Sequence, residues 1–386
     1  MPIIPHGGTL VNRILDVAER KQALEQSSSL PVIVMDSREA ADFDMLANGS
    51  FSPLTGFMSE QDYLGCLKDM KLADGTLWPL PVTLAVSEEE AKELKPGMVC
   101  ALKASEDGEV LGDITISDIY GYDKEAECQA AFGTTDEKHP GVAKTLEQKP
   151  FYVGGEIRAF GESQYADQFP EYASPKDVRA AIEEAGWETI AAFQTRNPIH
   201  RSHEFLTKVA LEVCDGILIH PIVGALKEGD IPAEVRLECY RELLDKYYPK
   251  TSVLLRVYPM EMRYAGPKEA ILHAIIRQNF GCTHLIVGRD HAGVGSYYGP
   301  FEAQEIFKTL PEGALAIDIL RFDWTFWCNV CGGIASAKTC PHDGSNHFKV
   351  SGTELRRMLS EGQRPPVEIT RPEVAEILIR YYKTLS

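Results

Sequence analysis

The chain has 386 residues, 44% hydrophobic and 25% charged, and carries a net charge of −18, which excludes a disordered chain and disfavours nonspecific binding to nucleic acid or acidic membranes. No apolar run is long enough to span a bilayer, and the first residues lack the basic and apolar regions of a signal peptide. Nine cysteines scattered along so long a chain favour a reducing compartment, so a cytoplasmic protein of two or three domains is expected.

Residues 1–165 lack a strand–helix rhythm. Short apolar runs at 30–35, 80–86, 99–102 and 113–119 are separated by Pro, Gly and charged clusters, and 81–86 alternates like a half-buried strand. Residues 38–47 and 88–93 read as short helices. The expectation is a β-rich, barrel-like domain with small helical additions. Residues 47–58, dense in turn formers and aromatics, read as a packed loop.

The polar, aperiodic stretch 163–175 marks a domain junction, after which the rhythm changes. Helices are expected over 177–185, 198–214, 232–248, 267–280 and 300–309. Strands are expected over 188–194, 216–223, 252–258, 284–287 and 314–320. Near-continuous apolar strands alternating with amphipathic helices predict a doubly wound α/β domain over 166–320. Ligands of such sheets sit at the carboxyl ends of the strands.

Two polar blocks emerge at such ends. The first is Gln194-Thr195-Arg196-Asn197-Pro198-Ile199-His200-Arg201-Ser202-His203-Glu204, between an apolar strand and an amphipathic helix. Pro198 suits a first helical position, which places His200 and His203 on one face of the first turn. Two imidazoles, Arg196 and Arg201 beside the positive end of a helix describe an anion site. A lone His-x-x-His would be a solvated helix start; the whole block at a strand-to-helix turn is a site. The second block, Gly288-Arg289-Asp290-His291-Ala292-Gly293-Val294-Gly295, follows the strand at 284–287. Its glycines allow close backbone approach and positive φ, and Arg289 and His291 supply cationic or donor groups. Both blocks are expected to face one crevice.

Residues 321–386 form a small third domain. Cys328, Cys331 and Cys340, with His347 or alternatively His342, suit tetrahedral zinc. Ser351-Gly352-Thr353-Glu354 and Thr370-Arg371-Pro372-Glu373 read as capping boxes for the last two helices. The final helix, over 372–385, carries Val374, Ile377, Leu378 and Tyr381 as its core stripe.

In a crevice shaped for ATP, imidazoles at the helix start can donate to phosphate oxygens and stabilise charge growing on the leaving group. Gln194 and Arg196, ahead of the helix, can hold a smaller oxyanion for in-line attack. Ser202 adjoins His203 but faces elsewhere, so no covalent nucleophile is expected. The chemistry is nucleotidyl transfer to an anionic acceptor, by positioning and electrostatics.

The block at 194–204 and Gly-Arg-Asp-His-Ala-Gly at 288–293 together resemble the ATP sulfurylase (sulfate adenylyltransferase) family, as do Ala-Asn-Gly-x-x-Ser-Pro-Leu-x-Gly-Phe-Met at 47–58 and Ser-Gly-Thr-Glu-Leu-Arg at 351–356. The likeness covers essentially the whole chain. It implies a PUA-like β-rich domain, a Rossmann-like nucleotidyltransferase domain and a small α/β C-terminal domain, in a homo-oligomer that is a dimer or larger. It implies the reaction ATP + sulfate ⇌ adenylyl sulfate (APS) + diphosphate, with Mg²⁺, serving sulfate activation or, in reverse, sulfur oxidation. Carried over by position, the resemblance assigns sulfate to Gln194, Arg196 and the backbone N–H of Ala292. Thr195, Arg196 and Asn197 would be catalytic, with His200 and His203 stabilising the transition state. Gln194, Asn197, His200, His203, Gly288, Arg289, Asp290 and His291 would contact ATP. Some bacterial relatives bind structural zinc through a similar Cys-x-x-Cys, Cys and His set. No Walker-type loop is present, so adenylyl-sulfate kinase activity is not expected. The competing readings are another His-x-x-His adenylyltransferase with an organic acceptor, and an RNA-binding protein using the PUA-like domain. The acidic charge and the lack of a basic, aromatic-studded stretch argue against RNA.

Overall fold

The short apolar runs of the first part pair side by side in an open sheet. The computed structural model describes residues 2–225, 230–348, 350 and 352–385. Strands β1 (Val32–Val34), β2 (Gly56–Phe57), β3 (Ala85–Val86), β4 (Val99–Lys103), β5 (Val110–Gly121) and β6 (Phe151–Ala159) form a six-stranded sheet in the order β1-β4-β5-β6-β2, with β3 also on β6. Only β1 pairs parallel, with β4; the long β5 and β6 run antiparallel along most of their length. Among the described residues no closed barrel forms, because β1 and β2 end the order without pairing with each other. The helix Ser37–Ala47, buried over most of its length, packs against β2 and β6 instead.

The loop at 47–58 is packed, as expected, and it fastens the two halves of the chain. Phe51 meets Trp78 edge-on with ring centroids 5.7 Å apart. Asn279, buried at the end of a helix of the second half, donates to the carbonyls of Ser50 and Ser52 at 2.9 and 3.0 Å.

In the second half β7 (Ile190–Thr195), β8 (Gly216–Pro221), β9 (Val253–Leu255), β10 (His284–Val287) and β11 (Asp318–Arg321) form a wholly parallel sheet in the order β11-β10-β7-β8-β9. Every residue of β8 is buried, which is why Ile217, Leu218 and Ile219 follow one another without polar alternation. The chain builds outward from β7 to β9, then returns to lay β10 on the other side of β7. That reversal opens a crevice beyond the carboxyl ends of β7 and β10.

Several expected elements change at their ends. The helix expected over 198–214 runs Arg201–Leu211: His200 stays extended (φ −110°, ψ 174°) as its N-cap, so neither Pro198 nor His200 is helical. The expected helix 300–309 divides into Glu302–Glu305 and a 3₁₀ turn, Ile306–Thr309. Strands β12 (Thr325–Cys328), β13 (Gly333–Ser336) and β14 (His347–Phe348) add a small antiparallel sheet in the order β13-β12-β14. Ser351, the first residue of one expected capping box, lies outside the described residues. The other box does not form, since Pro372–Tyr382 has Arg371 as N-cap with no side-chain bond, and Thr370 Oγ1 lies 2.9 Å from His200 Nδ1 instead. Val374, Ile377 and Leu378 of that helix are buried in one core with Phe193, Ile199 and Tyr240, while Tyr381 is half-buried. Among the described residues, no helix is long and apolar enough to cross a membrane.

Candidate active site

The two polar blocks meet. A cavity of about 290 Å³ is lined by Gln194, Thr195, Arg196, Asn197 and His203 from the first block and by Gly288, Arg289, Asp290, His291 and Ala292 from the second. His200 lines an adjoining cavity of about 410 Å³, walled by residues of the C-terminal part such as Leu355 and Arg356. Asn197 and His203 border both.

The turn after β7 is held by its own polar groups. Thr195 Oγ1 accepts the Asn197 N–H at 3.1 Å, and the buried Tyr240 hydroxyl donates to the Asn197 carbonyl. Thr195 is thereby engaged in shaping the turn. Arg196 projects into the crevice over Tyr264, its guanidinium carbon 4.8 Å from the ring centroid and its Nη1 3.1 Å from the phenol oxygen. Tyr264 adopts φ 60°, uncommon for a residue with a side chain and costing roughly 1–3 kcal/mol, as found where function dictates a side chain's aim. Asp230 Oδ2 lies 3.6 Å from the same Arg196 nitrogen. Gln194 reaches Met262 Sδ at 3.7 Å.

His200 and His203 are set by the helix start. The backbone N–H of His200 donates to Nδ1 of His203 at 3.2 Å, and His200 Nδ1 lies 2.9 Å from Thr370 Oγ1. The rings are 6.0 Å apart. Burial, and then the neighbouring His203, pushes His200 down to about 3; burial pushes His203 down to about 4. Both rings are therefore neutral near pH 7, each with one N–H to donate. Because a backbone N–H can only donate, Nδ1 of His203 is its acceptor nitrogen and Nε2 carries the hydrogen.

In the second block the positive φ values fall on Asp290 (53°), Ala292 (55°) and Gly295 (55°), whereas Gly288 and Gly293 have none. At Gly288 a Cβ would meet nothing within 4 Å, so neither backbone conformation nor crowding by the chain requires a glycine there. Arg289 pairs with Asp290 at 3.0 Å and lies over Trp324, 5.2 Å from its ring centroid. His291 Nε2 is 3.0 Å from Nδ1 of the buried His273, whose far nitrogen is 3.7 Å from Glu269. Burial, followed by the charge of Arg277, pushes His291 down to about 4. Asp230, Tyr264, His273 and Trp324 were not singled out from sequence, and Thr370 was read only as a helix cap. Each lies well apart along the chain from the residue it touches, and no local pattern marks that contact.

The cysteines also converge. Single ligand atoms of Cys328, Cys331, Cys340 and His342 all lie within 4.8 Å of one another. His342 Nδ1 is 3.4, 3.3 and 3.6 Å from the three sulfurs, and Cys331 and Cys340 sulfurs are 3.8 Å apart. A tetrahedron with bonds of about 2.3 Å to sulfur and about 2.0 Å to nitrogen has S–S and S–N edges of about 3.8 and about 3.5 Å, so the donors fit zinc. The fourth member of the cluster is His342 rather than His347. The His347 ring stacks on Phe326 at 3.5 Å, and its Nε2 sits 3.0 Å from the His342 carbonyl.

Comparison with known proteins agrees with this architecture. The PUA-like domain family matches residues 3–162, and the ATP-sulfurylase family matches residues 171–381. The chain is 51% identical to the sulfate adenylyltransferase of Psychrobacter sp. (strain PRwf-1), covering 99% of this chain and 92% of that one. It is 51% identical to that of Desulforamulus reducens, covering 99% and 98%. Among solved structures it resembles the hexameric APS kinase from Thiobacillus denitrificans, with a TM-score of 0.77 and 26% identity over 98% of this chain and 69% of that one. The chain belongs to the ATP-sulfurylase family of sulfate adenylyltransferases.

Proposed function

We propose that the sulfate adenylyltransferase reaction, ATP + sulfate ⇌ adenylyl sulfate + diphosphate, takes place in the crevice between the β7 turn and the loop after β10. The observation that carries this placement is a cavity lined by residues of both polar blocks. Sulfate is held by Gln194, Arg196 and the Ala292 N–H. ATP, taken as its magnesium complex, lies along Asn197, His200, His203 and the 288–291 loop. Arg196 offsets the repulsion between two anions that must approach within bonding distance. A sulfate oxygen attacks the α-phosphorus in line. The new O–P bond forms as the bond to the β-phosphate oxygen breaks, and its electron pair leaves with diphosphate. The reaction requires no proton transfer, and the neutral N–H donors of His200 and His203 stabilise the charge growing on the leaving oxygen. Thr195 acts through the shape of the turn. Neither an organic acceptor nor RNA is favoured by the relatives described above.

Zinc bound by Cys328, Cys331, Cys340 and His342 is proposed to brace the β12–β14 sheet; its role is structural, because the three thiolates and one imidazole complete a tetrahedron. A homo-oligomer, dimer or larger, and a cytoplasmic location complete the reading. Nine cysteines, none of them in a disulfide, suit a reducing compartment. The test is purified protein given ATP with and without sulfate. Diphosphate release should require sulfate and should also be driven by molybdate, whose mixed anhydride hydrolyses. Release indifferent to either oxyanion overturns the reading.

A further inference from the structure

The stretch before the final helix reaches back into the active site. The Ile369 carbonyl accepts the Arg201 N–H at 3.0 Å. Thr370 Oγ1 lies 2.9 Å from His200 Nδ1. Arg371 forks onto both carboxylate oxygens of Glu204 at 2.9 and 2.8 Å, with its guanidinium carbon 3.8 Å from the Tyr247 ring centroid. Three consecutive residues thus grip positions 200, 201 and 204, the start of the helix that carries both imidazoles. A bidentate, charge-assisted pair on one side and a backbone bond on the other leave Thr370 little freedom. Thr370 is fully buried, at 0% exposure. Its hydroxyl does not cap the helix that follows, so local helix chemistry does not account for it.

We propose that Thr370 is a positioning residue for adenylyl transfer: its hydroxyl donates to Nδ1 of His200 and so keeps the ring hydrogen on Nε2, aimed at the departing diphosphate. The inference rests on the role given to His200 above. A neutral imidazole carries one donor and one acceptor nitrogen, and the partner of one nitrogen decides which is which. The opposite arrangement, with Nδ1–H donating to the threonine oxygen, would present a lone pair on Nε2 to an anionic phosphate. It would also leave the threonine O–H in need of another acceptor, and none is recorded for it among the described residues. His203 receives the same assignment from a backbone N–H, which cannot reverse. The two rings then offer matched Nε2–H donors, one fixed by the helix's own backbone and the other by a residue of the C-terminal part. On this view the C-terminal segment completes the catalytic geometry as well as the fold.

The experiment compares Thr370→Val, which removes the hydroxyl at nearly constant volume, with Thr370→Ser, which keeps it. Imidazole nitrogens are followed by ¹⁵N NMR in histidine-labelled full-length protein, and rates by sulfate-dependent exchange of diphosphate into ATP. In the wild type and Thr370→Ser, His200 should hold its hydrogen on Nε2. In Thr370→Val the hydrogen should move at least partly to Nδ1, with kcat down about tenfold and KM for sulfate little changed, a fraction of the loss typical for deleting an oxyanion donor outright. A His200 tautomer unchanged in Thr370→Val overturns the inference whatever the rate, as does an equal loss in Thr370→Ser. A shifted tautomer with wild-type kcat overturns instead the leaving-group role of His200.

Discussion

Arg196 Nη1 stands 3.1 Å from the Tyr264 hydroxyl and 3.6 Å from Asp230 Oδ2, so the cation proposed to receive sulfate already faces a carboxylate. The carboxylate oxygen is buried and has no hydrogen bond among the described residues. A buried acceptor without a partner is easily displaced by an anion that brings its own bonds. Asp230 therefore competes with the acceptor oxyanion for Arg196. Asp230→Asn should lower KM for sulfate by roughly 3- to 10-fold, the worth of one partly buried ion pair. Arg196→Ala should reduce diphosphate exchange by roughly 10³ with the melting temperature kept, since both charge and orientation are lost. Initial rates against sulfate concentration decide; a raised KM in Asp230→Asn would mean that the carboxylate supports the site.

His203 borders both cavities and its donor nitrogen is fixed by the His200 backbone. His203→Ala should lower kcat by roughly 10²–10³ while leaving ATP affinity within a few fold, because the donor matters most as charge develops on the leaving oxygen. Single-turnover kinetics alongside equilibrium ATP binding separate the two. A variant that loses ATP affinity but keeps its rate would move His203 from the transition state to ground-state binding.

The depressed values of His200 (about 3) and His203 (about 4), caused first by burial, set the acid behaviour. Both lie below the ordinary 6.5, so neither ring gains charge until the pH falls well below neutrality. The plot of log kcat should show no inflection near 6.5 from these rings, with activity failing only toward pH 4. By the same linkage, each ring's stabilisation of the fold is present above 6.5 and is lost as pH falls from 6.5 to about 4 for His203 and about 3 for His200, a window in which the unfolded chain binds the proton and the folded chain does not. An inflection near 6.5 that disappears in His203→Gln would contradict neutral donors.

The cluster around Cys328 makes a choice between two histidines testable. One zinc per chain is expected by elemental analysis, lost in His342→Ala and retained in His347→Ala. Chelation should lower the melting temperature of the wild type, because metal bound only to the folded state stabilises it. Retention of zinc in His342→Ala with loss in His347→Ala would reverse the assignment.

The alternation of buried strands with amphipathic helices, the strand-to-helix turn at 194–204 and the loop at 288–293 were readable from the amino-acid sequence. Their residues are near one another along the chain, so spacing marks the blocks, although His200 caps the helix instead of lying in its first turn. The strand order was not readable, yet it is what brings the ends of β7 and β10 together at the turning point of the sheet. Nor were Tyr264, Asp230 and His273, which reach the site from other elements. Thr370 shows the limit most clearly. Its position in Thr-Arg-Pro-Glu predicts a helix cap, worth about 1 kcal/mol. The hydrogen bond to a buried imidazole is worth about as much. Two outcomes of similar energy, one local and one between residues 170 positions apart, cannot be ranked from sequence. The packing of the final helix against Ala233–Tyr247 and the Arg371–Glu204 pair decided between them, carrying the hydroxyl to His200.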